Sequence, residues 1–261
     1  AGQLIFNRKF MTTGRFITGH PYFGAAGFLA IVICVVLGVG AINGILHAEP
    51  LVQVALVDSV LAGSGVLLLL GLSWWEKAGY TSWIRWWDVL LFIPPVAVAL
   101  LPLANGIPNT APLTLVAFAA LTLLVGFAEE LWFRGLILTS LLPVGIVRAT
   151  AISAVFFALP HLLNVLGGIW DPAFTVVDTI AALGLGFTFA ALRIRTGSIW
   201  PLVGVHTLFD FASIVTIGGI EVPARSLPLL VSSVVVGAAF VAYGLFLLRG
   251  TGNLVAEPGT T

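Results

Sequence analysis

Charge is what this sequence lacks most. Only 8% of its 261 residues are Asp, Glu, Lys or Arg, against roughly a quarter in a soluble globular domain, so a water-soluble fold of this size is excluded. The eleven basic and eleven acidic side chains cancel, and neither sign gathers into a tail, so nucleic acid is not an expected partner. Cysteine occurs once, as Cys34; it can form no internal disulfide, and its place in an apolar run reads as a small core residue. Low-complexity stretches and soluble insertions are missing. An internal repeat is missing too, which disfavours a transporter built from inverted halves. What is plentiful is apolar: 59% of the chain is hydrophobic and the mean hydropathy is +1.12.

A helix needs about 20 apolar residues to cross the hydrocarbon core. Eight segments qualify, near 22–46, 51–73, 88–104, 113–142, 147–166, 174–192, 199–217 and 227–248, so the expected fold is an all-α, polytopic bundle of eight transmembrane helices over 22–248. Pro, Gly and Asn punctuate the connections between them, and Pro94, Pro95 and Pro102 make the third span the weakest. Residues 1–21 do not read as a cleavable signal, because the apolar run that follows is too long. With Phe6, Phe10, Phe16 and three basic residues, they read as an interfacial segment lying along the membrane surface. Residues 249–261 form a short tail. If the N-terminus is inside, nine of the eleven Lys and Arg side chains face the cytoplasm, Arg225 alone faces out, and Arg134 lies within the fourth span. That asymmetry predicts both ends inside. Trp74, Trp75, Trp83, Trp86 and Trp87 flank the second cytoplasmic segment, as an interfacial anchor belt would.

An ionisable side chain at the bilayer centre costs roughly 2.5–3.5 kcal/mol on insertion scales, so those inside the spans carry the information. Asp58 and Asp178 stand singly and read as helix–helix hydrogen-bond partners. The others form three sets. In the fourth span, Glu130 and Arg134 are four apart, about 40° round a regular helix, and can pair; Glu129 points about 100° away. The spacing makes Glu130–Arg134 a neutralising pair and leaves Glu129 free to face other helices. In the fifth span, Pro160 should kink the helix beside His161, between Phe157 and Asn164. In the seventh, His206 and Asp210 share a face. One tension remains in the depths: Glu129 and His161 lie about 20 Å from the cytoplasmic ends of their spans, His206 only about 10 Å. Either the Arg195–Trp200 connection dips inward or the span limits are misplaced.

These residues resemble the motifs of the type II CAAX prenyl endopeptidases and their Abi relatives (the CPBP intramembrane proteases): Glu129-Glu130-Leu131-Trp132-Phe133-Arg134, then Phe157-Ala158-Leu159-Pro160-His161, then His206-Thr207-Leu208-Phe209-Asp210. Order and spacing are intact over 113–217. The resemblance implies an endopeptidase in a bacterial or archaeal cytoplasmic membrane, cutting a protein or peptide that is prenylated or otherwise hydrophobic. It casts Glu129 as the base that activates water, with His161 assisting. His206 and Asp210 stand where the oxyanion is stabilised, and Glu130, Arg134, Phe157 and Asn164 support them. Asp210 is a departure, since the prenyl proteases carry asparagine there and an ionised carboxylate would repel an oxyanion.

Peptide hydrolysis needs an activated water, stabilisation of the carbonyl oxygen and a proton for the leaving amine. These residue types supply all three without metal, which is the preferred scheme. The alternative makes Glu129, His161 and His206 ligands of Zn²⁺, although no His-Glu-x-x-His helix is present. Two non-enzymatic readings, a transporter and an immunity-type membrane binding protein, would also place ionisable groups in the spans.

Overall fold

The computed structural model describes residues 13–165, 172–219 and 227–251. Most of the expected surface segment, with Phe6, Arg8, Lys9 and Phe10, lies outside the described residues, as do Arg225 and the tail from residue 252. Eight helices are long and apolar enough to cross a membrane: α1 (Pro21–Leu46), α2 (Pro50–Leu72), α3 (Trp86–Asn105), α4 (Pro112–Val144), α5 (Ile146–Val165), α6 (Pro172–Thr196), α7 (Trp200–Ile217) and α8 (Leu227–Leu247). No strand occurs among the described residues. The eight spans match the expected count.

Proline starts these helices where its missing N–H has no intrahelical acceptor to lose: Pro21, Pro50, Pro112 and Pro201 stand in first turns. Inside spans it does the opposite. α3 is α-helical only over Ile93–Leu100, between 3₁₀ turns that begin at Trp86 and Leu101. α5 leaves α geometry after Ala158 and tightens into a 3₁₀ segment, Leu159–Val165, that contains Pro160. The expected kink is therefore a change of helix type.

α6 is the most buried span and packs between α5 and α8. Lipid offers no hydrophobic force between helices, so close approach of small residues supplies the attraction. A Cβ on Gly184 would collide with the backbone of Gly237 on α8, and the Thr188 hydroxyl donates to the Phe240 carbonyl across the same seam. α1 is peripheral. Cys34 is exposed on it, which corrects the reading as a core residue: the apolar run is lipid-facing on most of its circumference.

The segment between α2 and α3 folds over the basic end of the bundle. Arg193, counted above as a cytoplasmic surface charge, is buried and clamps this segment, donating to the carbonyls of Ala78 (3.1 Å) and Lys77 (2.8 Å). Ile199 N–H donates to the Gly79 carbonyl and Trp200 Nε1 to that of Tyr80. The tryptophan belt divides accordingly. Trp74 is a core residue set edge-on to Phe28, whereas Trp83, Trp86 and Trp87 are exposed. Ser198 and Ile199 are buried beneath this cover, so α7 starts below the surface. That accounts for the mismatch in depth between His206 and Glu129.

Gly184→Val should lower the thermal stability of the detergent-solubilised protein by about 1–3 kcal/mol, because the clash is with backbone and no side chain can swing aside. Thermal unfolding followed by tryptophan fluorescence measures it.

Candidate active site

α4 supplies the acids. Glu130 is fully buried, and its Oε1 accepts two hydrogen bonds of 2.8 Å, from Arg134 Nη1 and from His206 Nδ1. The Arg134 guanidinium lies 4.1 Å from the Phe157 ring centroid and 5.4 Å from that of Phe189, and Nη2 reaches the Gly186 carbonyl at 3.4 Å. Cation–π contact and a hydrogen bond thus replace part of the hydration this ion has lost. Just past Glu130 the helix widens into a π segment, Leu131–Ile137, all of it buried. There Leu138 N–H bonds to Phe133, five residues back, and the Ser153 hydroxyl of α5 also donates to that carbonyl. The Glu130–Arg134 pair is present as the spacing required, but it is not closed upon itself. Glu130 also holds a histidine of another helix.

His206 reaches Glu130 because α7 lies hard against α4. A Cβ on Gly126 would stand 2.9 Å from Thr207 Oγ1 and 3.1 Å from the Val203 carbonyl, so only glycine allows this approach one turn before Glu130. Phe157 and Phe189 present their faces to Arg134 and lie edge-on to His206, each at 5.9 Å. With Nδ1–H given to Glu130, the imidazole turns Nε2 towards two other carboxylates. Glu129 Oε2 is 3.5 Å away and Asp210 Oδ2 is 3.7 Å away. These two side chains are 25% and 35% exposed, whereas Glu130 and Arg134 are at 0%. The site is graded from a sealed ion pair, through an oriented imidazole, to two partly exposed side chains, of which Asp210 keeps the Oδ2 that faces His206 buried and without a hydrogen bond among the described residues.

His161 sits in the 3₁₀ segment of α5, half-buried, and gives its Nδ1–H to the Phe157 carbonyl at 3.1 Å. Its ring meets Phe157 at 5.2 Å, so one phenyl ring separates the two imidazoles. Among the described residues it makes no ion pair with Glu129, and Asp178 and Asp210 are among its electrostatic neighbours. Asn164 is half-buried in the same segment. Glu129, His161 and His206, the set named for zinc, are not drawn to one point, and no three His, Cys, Asp or Glu side chains among the described residues gather as a metal site would require.

Three residues of this neighbourhood escaped the sequence reading. Asp58 and Asp178, expected to bond helix to helix, make no hydrogen bond among the described residues; Asp178 Oδ2 is buried without a partner. Their electrostatic neighbours are the site's own groups: Glu129, Asp210 and His206 for Asp58, and His161 and Glu129 for Asp178. The available signal was that neither acid has a basic residue one turn away on its own helix. Tyr80 is the third. Its hydroxyl is buried without a partner, and burial, aided by the charge of Glu130, pushes its ionisation upward. It stays a neutral donor at the covered end.

Residues 111–212 match the family model described as type II CAAX prenyl endopeptidase Rce1-like. The match spans α4, α5, α6 and α7 as far as Ala212, and so includes every side chain placed here except those of Asp58 and Tyr80. No curated protein and no solved structure matches the chain.

Arg134→Met should cost about 3–5 kcal/mol of stability, because it strands the buried Glu130 carboxylate. Thermal unfolding in detergent, compared with an Arg134→Met/Glu130→Gln double variant that strands no charge, measures the difference.

Proposed function

From the domain of the type II CAAX prenyl endopeptidase family that residues 111–212 form, and hence a protease at family level, we propose that this chain is an intramembrane endopeptidase using a glutamate base and no metal. One observation carries the reading. His206 is held through Nδ1 by a sealed carboxylate and presents Nε2 to an accessible one, Glu129, at 3.5 Å.

Glu129 is the only carboxylate of the α4 pair that both reaches solvent and faces the imidazole. In the proposed reaction it accepts a proton from water as the water oxygen attacks the scissile carbonyl, then returns that proton to the leaving amine. His206 serves the carbonyl oxygen. Because Nδ1–H is committed to Glu130, donation from Nε2 uses the imidazolium form, whose charge Glu130, Glu129 and Asp210 balance. The orienting acid behind the imidazole does what the buried aspartate does in a serine-protease triad, fixing the ring and supporting its charge. Arg134 pairs with Glu130 from the other side at 2.8 Å and holds it in place for that duty. Asp210 is the charge balance of the resting site rather than an oxyanion donor, which reconciles it with the asparagine that prenyl proteases carry there. His161, its Nδ1–H tied to Phe157, offers Nε2 from the other side of the phenyl ring and assists in placing water or substrate.

The substrate in this reading is a protein or peptide with an apolar or prenylated C-terminal region that arrives from the bilayer, cut at the basic, cytoplasmic end of a bundle with both termini inside.

Glu129→Gln should lower kcat by about 10²–10⁴-fold while the protein folds normally, the range for loss of a general base. A transporter would show no peptide product from the wild type either. His206→Ala should cost about 10²–10³-fold, whereas Asp210→Asn should stay active. Cleavage of a farnesylated and an unfarnesylated C-terminal peptide by the purified protein reads all three variants and the lipid requirement together. The same assay should be indifferent to phenanthroline, with no stoichiometric zinc on metal analysis; one equivalent of zinc lost together with activity would overturn the metal-free scheme.

A further inference from the structure

We infer that Tyr80, in the segment between α2 and α3 and outside the residues that match the family, is a positioning residue of the same site: its hydroxyl serves the second carboxylate oxygen of Glu130 across one buried water. Tyr80 has this role only if His206 serves the carbonyl oxygen as proposed, because Glu130 is what holds that imidazole.

α4 and α7 run antiparallel, and their contacts give the depth of each residue in the crevice between them. A Cβ on Gly126 would meet Val203 and Thr207, whereas one on Gly135 would stand 3.7 Å from Ile199 Cδ1 and 3.7 Å from Tyr80 Cε2. Glu130 lies between these two levels and reaches across to His206 there. Tyr80 enters the same crevice from the covered end. Its backbone is fastened beside the start of α7, where its carbonyl accepts from Trp200 Nε1 at 2.9 Å and the Gly79 carbonyl accepts from Ile199 N–H at 3.2 Å. From there the ring points inward, along Gly135, to an edge contact with Phe127 at 6.2 Å. Trp200 closes the triangle, 5.3 Å from Tyr80 and 6.5 Å from Phe127. Phe127 is three residues from Glu130, about 60° round the helix. The tyrosine ring therefore flanks α4 over the stretch that carries the acid.

Polar capacity is left over on both sides of this contact. Tyr80 is 8% exposed, and its hydroxyl is buried without a partner among the described residues. So is Glu130 Oε2, the oxygen that Arg134 and His206 leave free. A phenol donates one proton and a carboxylate oxygen accepts. Left unserved, two such groups cost stability, and a phenylalanine would fill the aromatic cluster without that cost. Burial and then the charge of Glu130 raise the ionisation of Tyr80, so the hydroxyl keeps the proton it would donate. The two groups make no direct hydrogen bond, and a single water between them satisfies both. Glu130 then has donors on both oxygens and is held against rotation away from His206 Nδ1, which keeps Nε2 directed at the reacting carbonyl.

The experiment compares kcat and KM of wild type, Tyr80→Phe, His206→Ala and the double variant on a farnesylated fluorogenic C-terminal peptide in detergent, with thermal midpoints alongside. Tyr80→Phe, which keeps the ring, should retain KM and lose about 5- to 50-fold in kcat, and its thermal midpoint should not rise. Because the effect passes through the imidazole, the same substitution in the His206→Ala background should change kcat by less than about twofold. Wild-type kcat in Tyr80→Phe would overturn the inference. So would a raised thermal midpoint, the mark of an orphan hydroxyl removed, or an equal loss of kcat in both backgrounds. If His206→Ala does not fold, His206→Gln takes its place in the comparison. Full activity in the His206 variant would instead refute the proposed service to the carbonyl oxygen, whereas a slow His206 variant beside a fully active Tyr80→Phe removes only the role given to Tyr80.

Discussion

The Glu130–Arg134 ion pair is the constraint around which the bundle is arranged. Separating either ion from water costs several kcal/mol, and the pair needs further partners to be tolerable; Glu130 Oε2 and Arg134 Nε still have no hydrogen bond among the described residues. α4 cannot supply those partners alone. α5 and α6 contribute the faces of Phe157 and Phe189 and the carbonyl of Gly186, and α7 contributes His206. Four helices are thus tied to one buried charge pair. Because the demand is electrostatic and directional, it specifies their mutual rotation in a way that apolar contacts with lipid-like side chains do not.

Orientation of His206 follows from the same pair. An imidazole has two nitrogens, and committing one determines what the other can do. With Nδ1 bound to the sealed Glu130, Nε2 must face the half-open region that holds Glu129 and Asp210. The widened turn over Leu131–Ile137 belongs to this arrangement. It follows directly after Glu130, buries all seven residues, and exposes the Phe133 carbonyl to the hydroxyl of Ser153. Such π segments are often found at functional sites.

Much of this was legible in one dimension. Hydropathy gave the number of spans because lipid permits no other backbone solution for an apolar run of that length. The four-residue spacing of Glu130 and Arg134 gave their pairing because both lie on one helix. Proline placed the change of helix type beside His161. Legibility failed where one helix had to know about another. The seam between α6 and α8 at Gly184, the burial of Arg193 under the segment between α2 and α3, and the lipid exposure of Cys34 each depend on which helix is a neighbour, and periodicity within uniformly apolar spans carries almost no information about that. A soluble helix announces its buried face by polarity. A membrane helix does not.

By itself the sequence determined that the chain lives in lipid, how often it crosses, and which few ionisable groups it retains there, since these are transfer energies summed along a segment. Only the tertiary structure decided what those groups do: that Glu130 serves a histidine as well as an arginine, that Glu129 is the accessible acid of the pair, and that His161 stands apart from His206 behind a phenyl ring. Each of these is a distance between helices, fixed by close approach at glycine and by the demand of a buried charge for partners.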